Sequence, residues 1–372
     1  MNILLCYGYH PETTAVYFDR ALCKHHSVFH VTTPWRDRRG YAPNEDVYAL
    51  VERGILPKPD LVLFIESGMP FFPRGLERFE CPTAAYIIDV HSAIWVRQNY
   101  AYFFDHLFIC HKDYVGYFEE LGFPSVHWLP IACDPEIHGQ IPAERVYDIG
   151  FVGGIEHHPE RRRLLLGLER RYKLNDFRRH YPKEQLTAIY SRSRIAFNYP
   201  ANRDLNMRVF EALAGGALLV TSPIENGIHD LLRAGEHFIE FRDDRELHAA
   251  LEYYLAHDRD REHIAQAGCE AALREHTYEK RCEIIFDALR GAAGATGSAM
   301  ARRMTPARLR EAYGKIYSNF RLVDAAFDEF ETAWRAKAGR LAASKTLGTA
   351  LLRRLNATTQ LSQVVRKALS RN

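Results

Sequence analysis

Short, continuous apolar runs alternate with amphipathic stretches along most of this chain. Runs at residues 3–6, 27–32, 60–65, 83–88, 106–110 and 126–130 have the length of strands. Continuous rather than alternating hydrophobicity is what a strand buried on both faces requires. Residues 13–24 and 111–121 carry helical spacing between them, the second closed by Gly122-Phe-Pro. A second series opens near Tyr147, with strands expected at 147–152, 172–174, 194–198, 217–220 and 237–241. Helices are expected from Arg161 and at 244–256, 259–274 and 278–289. This alternation predicts the α/β class, with doubly wound parallel sheets. The boundaries read as a Rossmann-like domain at 1–140, a second at 141–290, and a small-residue linker with a helical C-terminal extension at 291–372.

The most informative stretch is 206–221, Asn206-Met-Arg-Val-Phe-Glu-Ala-Leu-Ala-Gly-Gly-Ala-Leu-Leu-Val-Thr221. Val209, Phe210 and Leu213 fall on the core face of a short helix, leaving Arg208 and Glu211 on the other. Gly215-Gly216 end it, because glycine accepts the left-handed conformation of a helix C-cap. Arg208 in the first turn adds charge to free backbone amides, a good setting for a phosphate. Glu211, one turn later, can accept two hydroxyl hydrogen bonds, as a ribose supplies. The spacing alone equally fits a solvated helix face. Gly153-Gly154, between a strand and a helix, would let backbone approach a phosphate without a Cβ in the way. Gly8, after the first strand, fits an ordinary βα turn, and no G-x-G-x-x-G fingerprint is present.

Composition narrows the field modestly. The chain has 372 residues, 47% apolar and 26% charged, with a net charge of +2. That excludes a uniformly basic nucleic-acid binder. Seven scattered cysteines without C-x-x-C spacing suit reduced thiols in a cytoplasmic enzyme. The opening residues enter a strand directly, without the pattern of a secretory signal, and no apolar run approaches the ~18 residues of a membrane span.

The 206–221 stretch resembles the donor-site signature of GT-B glycosyltransferases, specifically the CgeB-like (spore-maturation-type) group. His127-Trp-Leu-Pro-Ile-Ala-Cys-Asp-Pro-Glu-Ile-His138 resembles that group's interdomain loop, Tyr147-Asp-Ile-Gly-Phe-Val-Gly153 its second-domain opening, and His276-Thr-Tyr-Glu-Lys-Arg281 its closing helix. The resemblance runs over about residues 85–290. It implies a GT-B fold of two facing Rossmann-like domains, with a nucleotide-sugar donor in the cleft and held by the second. It implies a donor site of Gly153, Gly154, Asn206, Arg208 and Glu211, the glutamate on the ribose. Many retaining members carry a second glutamate eight positions earlier, but here Arg203 stands there, with Asp204 beside it.

On the acceptor side, Asp89 and His91 follow a strand's carboxyl end, where open α/β sheets place ligand groups. They are the candidate catalytic residues, with Glu12 further out. A helix cap at Asp89 and a backbone-bonded loop histidine at His91 are the plainer readings. Asp258-Arg-Asp260 has the D-x-D form, yet it opens a helix where aspartates cap. His157-His158 lacks further ligands at metal spacing, so no metal and no cofactor is expected. Two other functions fit the same pattern, a nucleotide-sugar epimerase and a non-catalytic surface or coat-assembly protein. The acceptor, whether protein, glycan or other, is not written in the sequence. Residues 337–372 hold eight basic residues and no acidic one. A helix at 347–369 would be basic and amphipathic. It would lie on an anionic membrane surface, or pack on the body or on a second subunit in a homo-oligomer.

Overall fold

The computed structural model describes residues 1–200, 202–291, 297 and 299–335. The expected basic helix at 347–369, and with it the membrane and subunit contacts read from 337–372, lies outside the described residues. The chain divides into two units.

The first unit is built on six parallel strands, β1 (Asn2–Tyr7), β2 (Ser27–Thr32), β3 (Leu61–Ile65), β4 (Thr83–Ile87), β5 (His106–Ile109) and β6 (Val126–Trp128), in the order β2-β1-β3-β4-β5-β6. β3 and β4 are buried along their whole length, as their unbroken apolar runs require. The order reverses between β1 and β3. Gly8, just past β1, packs there so closely that a Cβ would meet Ser67 Oγ at 2.9 Å and Phe71 Cβ at 3.2 Å.

The division at 290/291 is revised by the structure. The described residues from Ala288 to 335 belong to the first unit, and Cys110–Asp113 and Trp128–Asp287 form the second. Two C-terminal helices, Pro306–Asn319 and Val323–Arg335, supply Ala312, Tyr313, Ile316, Tyr317, Ala326 and Phe330 to the first core. Gly314 lets the pair approach, since a Cβ there would lie 2.5 Å from Phe330 Cε1. Polar ties hold the return in place. Asp105 accepts from the Thr83 amide and hydroxyl, each at 3.0 Å, and from the Ala299 amide at 2.8 Å. The Tyr313 hydroxyl accepts from the Gly75 amide at 2.9 Å and donates to Glu77 at 2.7 Å. Buried Glu329 receives Arg74 at 3.3 Å and Arg310 at 3.0 Å. None of these long-range partners is visible as a local pattern, so the helices read in sequence as an appendage.

In the second unit β7 (Tyr147–Gly150), β8 (Ser193–Asn198), β9 (Leu218–Thr221) and β10 (Ile239–Glu240) form a parallel sheet ordered β10-β9-β8-β7. The strand expected at 172–174 contributes a single bridge, Leu174 to Ile149. That bridge matters for topology. β7 pairs with β8 on one side and with Leu174 on the other, so the chain leaves β7 in one direction and returns in the other. The carboxyl end of β7 is therefore a topological switch point, where open α/β sheets bind ligands.

Candidate functional site

The turn after β7 is where the second unit concentrates its arginines. Arg208, from the helix Met207–Ala214, donates through Nε to the Val152 carbonyl at 2.7 Å and through Nη1 to Asn198 Oδ1 at 2.8 Å. Asn198 is the last residue of β8, so one guanidinium ties the ends of two adjacent strands. Gly153 makes room for it. Its φ is +152°, and a Cβ at that position would overlap Arg208 Nη2. Arg161, from the helix Pro159–Glu169, donates through Nε to the Tyr199 carbonyl at 2.8 Å and through Nη1 to the Gly154 carbonyl at 2.7 Å. Both guanidinium carbons lie near the Phe151 ring, 4.6 Å away for Arg208 and 6.0 Å for Arg161. Burial, and then the Arg208 charge, bring the Arg161 pKa down to about 10.

With the Val152 and Gly154 carbonyls engaged by arginines, Gly153 and Gly154 themselves stand exposed. A cavity of about 400 Å³ opens beside them, walled also by His157, His158, Arg178 and Arg179. Burial and the neighbouring Arg161 push His158 below its ordinary pKa. Arg161 and Arg208 beside exposed glycines favour an anion at this turn, with Glu156 on the cavity wall and Arg178 committed to Glu169 at 2.7 Å.

Asn206 is the residue before the Met207–Ala214 helix, but its side chain does not cap it. Its Nδ2 reaches Asn198 Oδ1 at 3.4 Å, and its Oδ1 is buried without a hydrogen-bond partner among the described residues. The Val209 amide turns back to the Asn206 carbonyl at 3.2 Å. At the far end, Gly216 takes φ +73° and stops the helix as its sequence predicts.

Glu211 lies one turn along the same helix, its side chain 11% exposed. Burial pushes its carboxyl pKa up to about 7, against the pull of Arg208. His138 Nε2 is 3.8 Å from Glu211 Oε1. Its Nδ1 accepts from the Asp134 amide at 2.9 Å, which places the ring proton on Nε2, towards the carboxylate. Burial holds that imidazole neutral, with a pKa brought down to about 4. The 130–138 loop is positioned by the closing segment. Cys133 and Thr277 form a parallel bridge, and buried Arg281 donates to the Pro130 carbonyl at 2.7 Å. Two of the quoted sequence segments thus meet beside a third.

Asp89 and His91 lie in the first unit, both exposed beyond the carboxyl end of β4. Asp89 adopts a left-handed φ of +46° before the 3-10 turn Val90–Ser92, which its side chain does not cap, and the α-helix starts only at Ile94. Its left-handed backbone is uncommon for a non-glycine residue, though aspartate tolerates it best. Glu12 is exposed at the first strand's loop. The D-x-D pair is split, Asp258 binding Arg261 at 2.6 Å and Asp260 the Tyr253 hydroxyl at 2.6 Å. Asp19, Cys23 and His30 bring ligand atoms within 4.8 Å of one another, a grouping that no spacing revealed. There Asp19 Oδ1 accepts from His30 at 2.6 Å and from Cys23 at 3.3 Å. At the position of the second glutamate, Arg203 pairs with Glu225, and Asp204 lies 3.6 Å from His111 Nε2.

Arg161 and His138 are the residues that sequence reasoning passed over. A signal existed for His138, which ends the quoted interdomain segment. Arg161 stood among three successive arginines, indistinguishable by pattern from its neighbours.

Residues 148–287 match the family model described as glycosyl transferase-like. No curated sequence relative matches the chain. Among solved structures, sucrose-phosphate synthase from Thermosynechococcus elongatus is similar at 11% identity and a TM-score of 0.54, over 79% of this chain and 100% of that one. HepE from Anabaena, solved in complex with UDP-glucose, is similar at 12% identity and 0.51, over 78% and 100%. A glycosyltransferase from Rickettsia africae is similar at 9% identity and 0.52, over 78% and 98%. The two parallel-sheet units therefore form a GT-B fold, and the second carries a glycosyl transferase-like domain.

Proposed function

We propose that this protein is a nucleotide-sugar-dependent glycosyltransferase of the CgeB-like kind, with its donor held in the second unit. The observation that carries the reading is the Arg208 tie at the β7–β8 switch point, beside exposed Gly153-Gly154. A donor diphosphate would take the Gly153-Gly154 turn and the N-terminal end of the Met207–Ala214 helix. Arg208, fixed before the ligand arrives, would stabilise the charge that grows as the diphosphate departs. Arg161 would add charge from beneath without contact. Glu211 would accept the two ribose hydroxyls, and the His138 ring would orient its carboxylate. One structural neighbour, HepE, solved with UDP and with UDP-glucose, makes uridine nucleotides the first donors to test.

Transfer also needs the acceptor hydroxyl to lose its proton. Asp89 and His91 are proposed for that part, in the first unit. No divalent ion is assigned a role, so turnover should survive EDTA. Full recovery of an EDTA-killed enzyme by Mn²⁺ would refute this.

Isothermal titration with UDP-glucose, and with GDP- and dTDP-sugars beside it, tests the donor site. Saturable binding that weakens about tenfold or more in Glu211→Ala supports it, by the loss of charge-assisted hydrogen bonds. Unchanged binding in a folded Glu211→Ala protein removes the ribose assignment. Product analysis decides the chemistry. Donor loss that requires an acceptor supports transfer, donor isomerisation without one would indicate an epimerase, and no nucleotide binding at all would indicate a non-catalytic protein.

A further inference from the structure

One end of the first unit's sheet carries a group of side chains that the transfer reading does not use. β2 lies at that end, beside β1. His30 stands opposite Leu5 and Thr32 opposite Tyr7. His30 and Tyr7 therefore leave the sheet on the same face, since side chains two apart on a strand share one. The helix Thr14–Cys23 meets them there with Asp19 and Cys23, which sit four apart on one side of it.

Asp19 Oδ1, Cys23 Sγ and His30 Nε2 all lie within 4.8 Å of one another. Asp19 Oδ1 is the common point, with His30 Nε2 donating to it at 2.6 Å and Cys23 Sγ at 3.3 Å. The other carboxylate oxygen is held separately, since Oδ2 accepts from the Tyr7 hydroxyl at 3.1 Å. Tyr7 is fully buried. It fixes the carboxylate from behind, as outer partners orient the ligands of a metal. The Asp19 and His30 side chains are 17% and 32% exposed, and Cys23 is exposed. An ion from solvent can reach all three ligand atoms.

A carboxylate, a thiol and an imidazole are the ligand types that zinc takes together. A thiol is a weak hydrogen-bond donor, so the Cys23 contact alone contributes little. Around a tetrahedral ion with bonds of about 2.0 to 2.3 Å, ligand atoms stand about 3.3 to 3.7 Å apart. The Cys23 sulfur and Asp19 oxygen are at that spacing already, and the His30 ring has to withdraw by less than about 1 Å. The protons and charges balance. The Cys23 thiol gives its proton to solvent, the His30 proton moves from Nε2 to Nδ1, and carboxylate and thiolate together neutralise a dication. Sulfur and nitrogen ligands disfavour Mg²⁺ and Ca²⁺, which prefer oxygen.

We propose that Asp19, Cys23 and His30 form a zinc site, with water in the fourth position, that ties the helix Thr14–Cys23 to β2. The ion contacts no residue assigned to the donor or to proton transfer, and the site does not rest on the donor assignment.

Calorimetric titration of the full-length, untagged and reduced protein with Zn²⁺ tests this, with Co²⁺ as a spectroscopic probe. One zinc per chain is expected, and bound cobalt should show a sulfur-to-metal charge-transfer band. Cys23→Ser should abolish the band. Cys23→Ser and His30→Gln should each weaken zinc binding about tenfold or more. Saturating zinc should raise the thermal midpoint of the wild type, because it binds the folded chain, and leave both variants unmoved. UDP-glucose affinity should be the same in zinc and in EDTA. Where His30→Gln fails to fold, as judged by circular dichroism, Cys23→Ser carries the test, its side chain being exposed at the helix end. The proposal is overturned if zinc does not saturate. It is overturned equally if binding and the cobalt band survive in folded Cys23→Ser, which would show an adventitious ion only. Failure of UDP-glucose to bind the wild type would remove the donor reading and leave this one standing.

Discussion

Replacing Glu211 by glutamine should make the protein more stable and a worse binder at once. The carboxyl is buried on the Met207–Ala214 helix with a pKa of about 7. Its ordinary value is 4.5, so the folded chain holds this proton more tightly than the unfolded one. The group's contribution is fully present below pH 4.5 and is lost as pH rises through about 7. Above that, the buried charge costs about 3 kcal/mol, taking about 1.4 kcal/mol per pKa unit. Glu211→Gln should recover most of that near pH ~8 and less than about 1 kcal/mol near pH ~5. For a unit of this size that is a rise of several degrees in midpoint at the higher pH. Binding should move the other way. A ribose diol donates to the carboxylate form, so wild-type affinity for UDP-glucose should rise about tenfold between pH ~6 and ~8. The glutamine variant should bind weakly and without that dependence. Thermal unfolding and calorimetric titration at both pH values check the two halves. A Glu211→Gln protein that loses stability at pH ~8, or one whose wild-type parent binds equally at both pH values, would refute the reasoning.

Gly153→Ala should cost roughly 1–3 kcal/mol, since its φ strains any side chain and the new Cβ displaces Arg208; denaturant unfolding reads the first effect and UDP-glucose titration the second. Arg161→Met should cost about 2–3 kcal/mol, because it orphans the Tyr199 and Gly154 carbonyls. The same unfolding assay tests it, and a neutral result would mean that water replaces the guanidinium. Asp105→Ala should remove the ties to Thr83 and Ala299 and cost about 2–4 kcal/mol. Limited proteolysis should then release the two C-terminal helices first, whereas uniform digestion would show that Asp105 does not hold them.

Strand content was largely readable, because a strand buried on both faces must be apolar at every position. The runs at β1, β3, β4 and β9 left no other period to read. The weak elements failed for the same reason. β10 covers only Ile239–Glu240, and the 172–174 run makes one bridge, since short apolar runs do not say whether a neighbouring strand will pair with them. The helices Val47–Glu52 and Lys183–Ser191 went unread, the first too short for periodicity to register.

The candidate site divides along the same line. Local sequence determined the Met207–Ala214 helix, its glycine stop and the side of it that carries Arg208 and Glu211, because helix geometry relates residues three apart wherever the helix sits. Only the tertiary structure decided what those side chains meet. Arg208 finds carbonyl and amide partners 56 and 10 positions away, and His138 reaches Glu211 because Cys133 pairs with Thr277. The same holds for His30, which reaches Asp19 only where the helix Thr14–Cys23 lies over β2. Contacts of that range are set by how each unit's sheet and the segments returning to it pack together. Burial then shifts the pKa of Glu211, and no arrangement of neighbours along the chain records that.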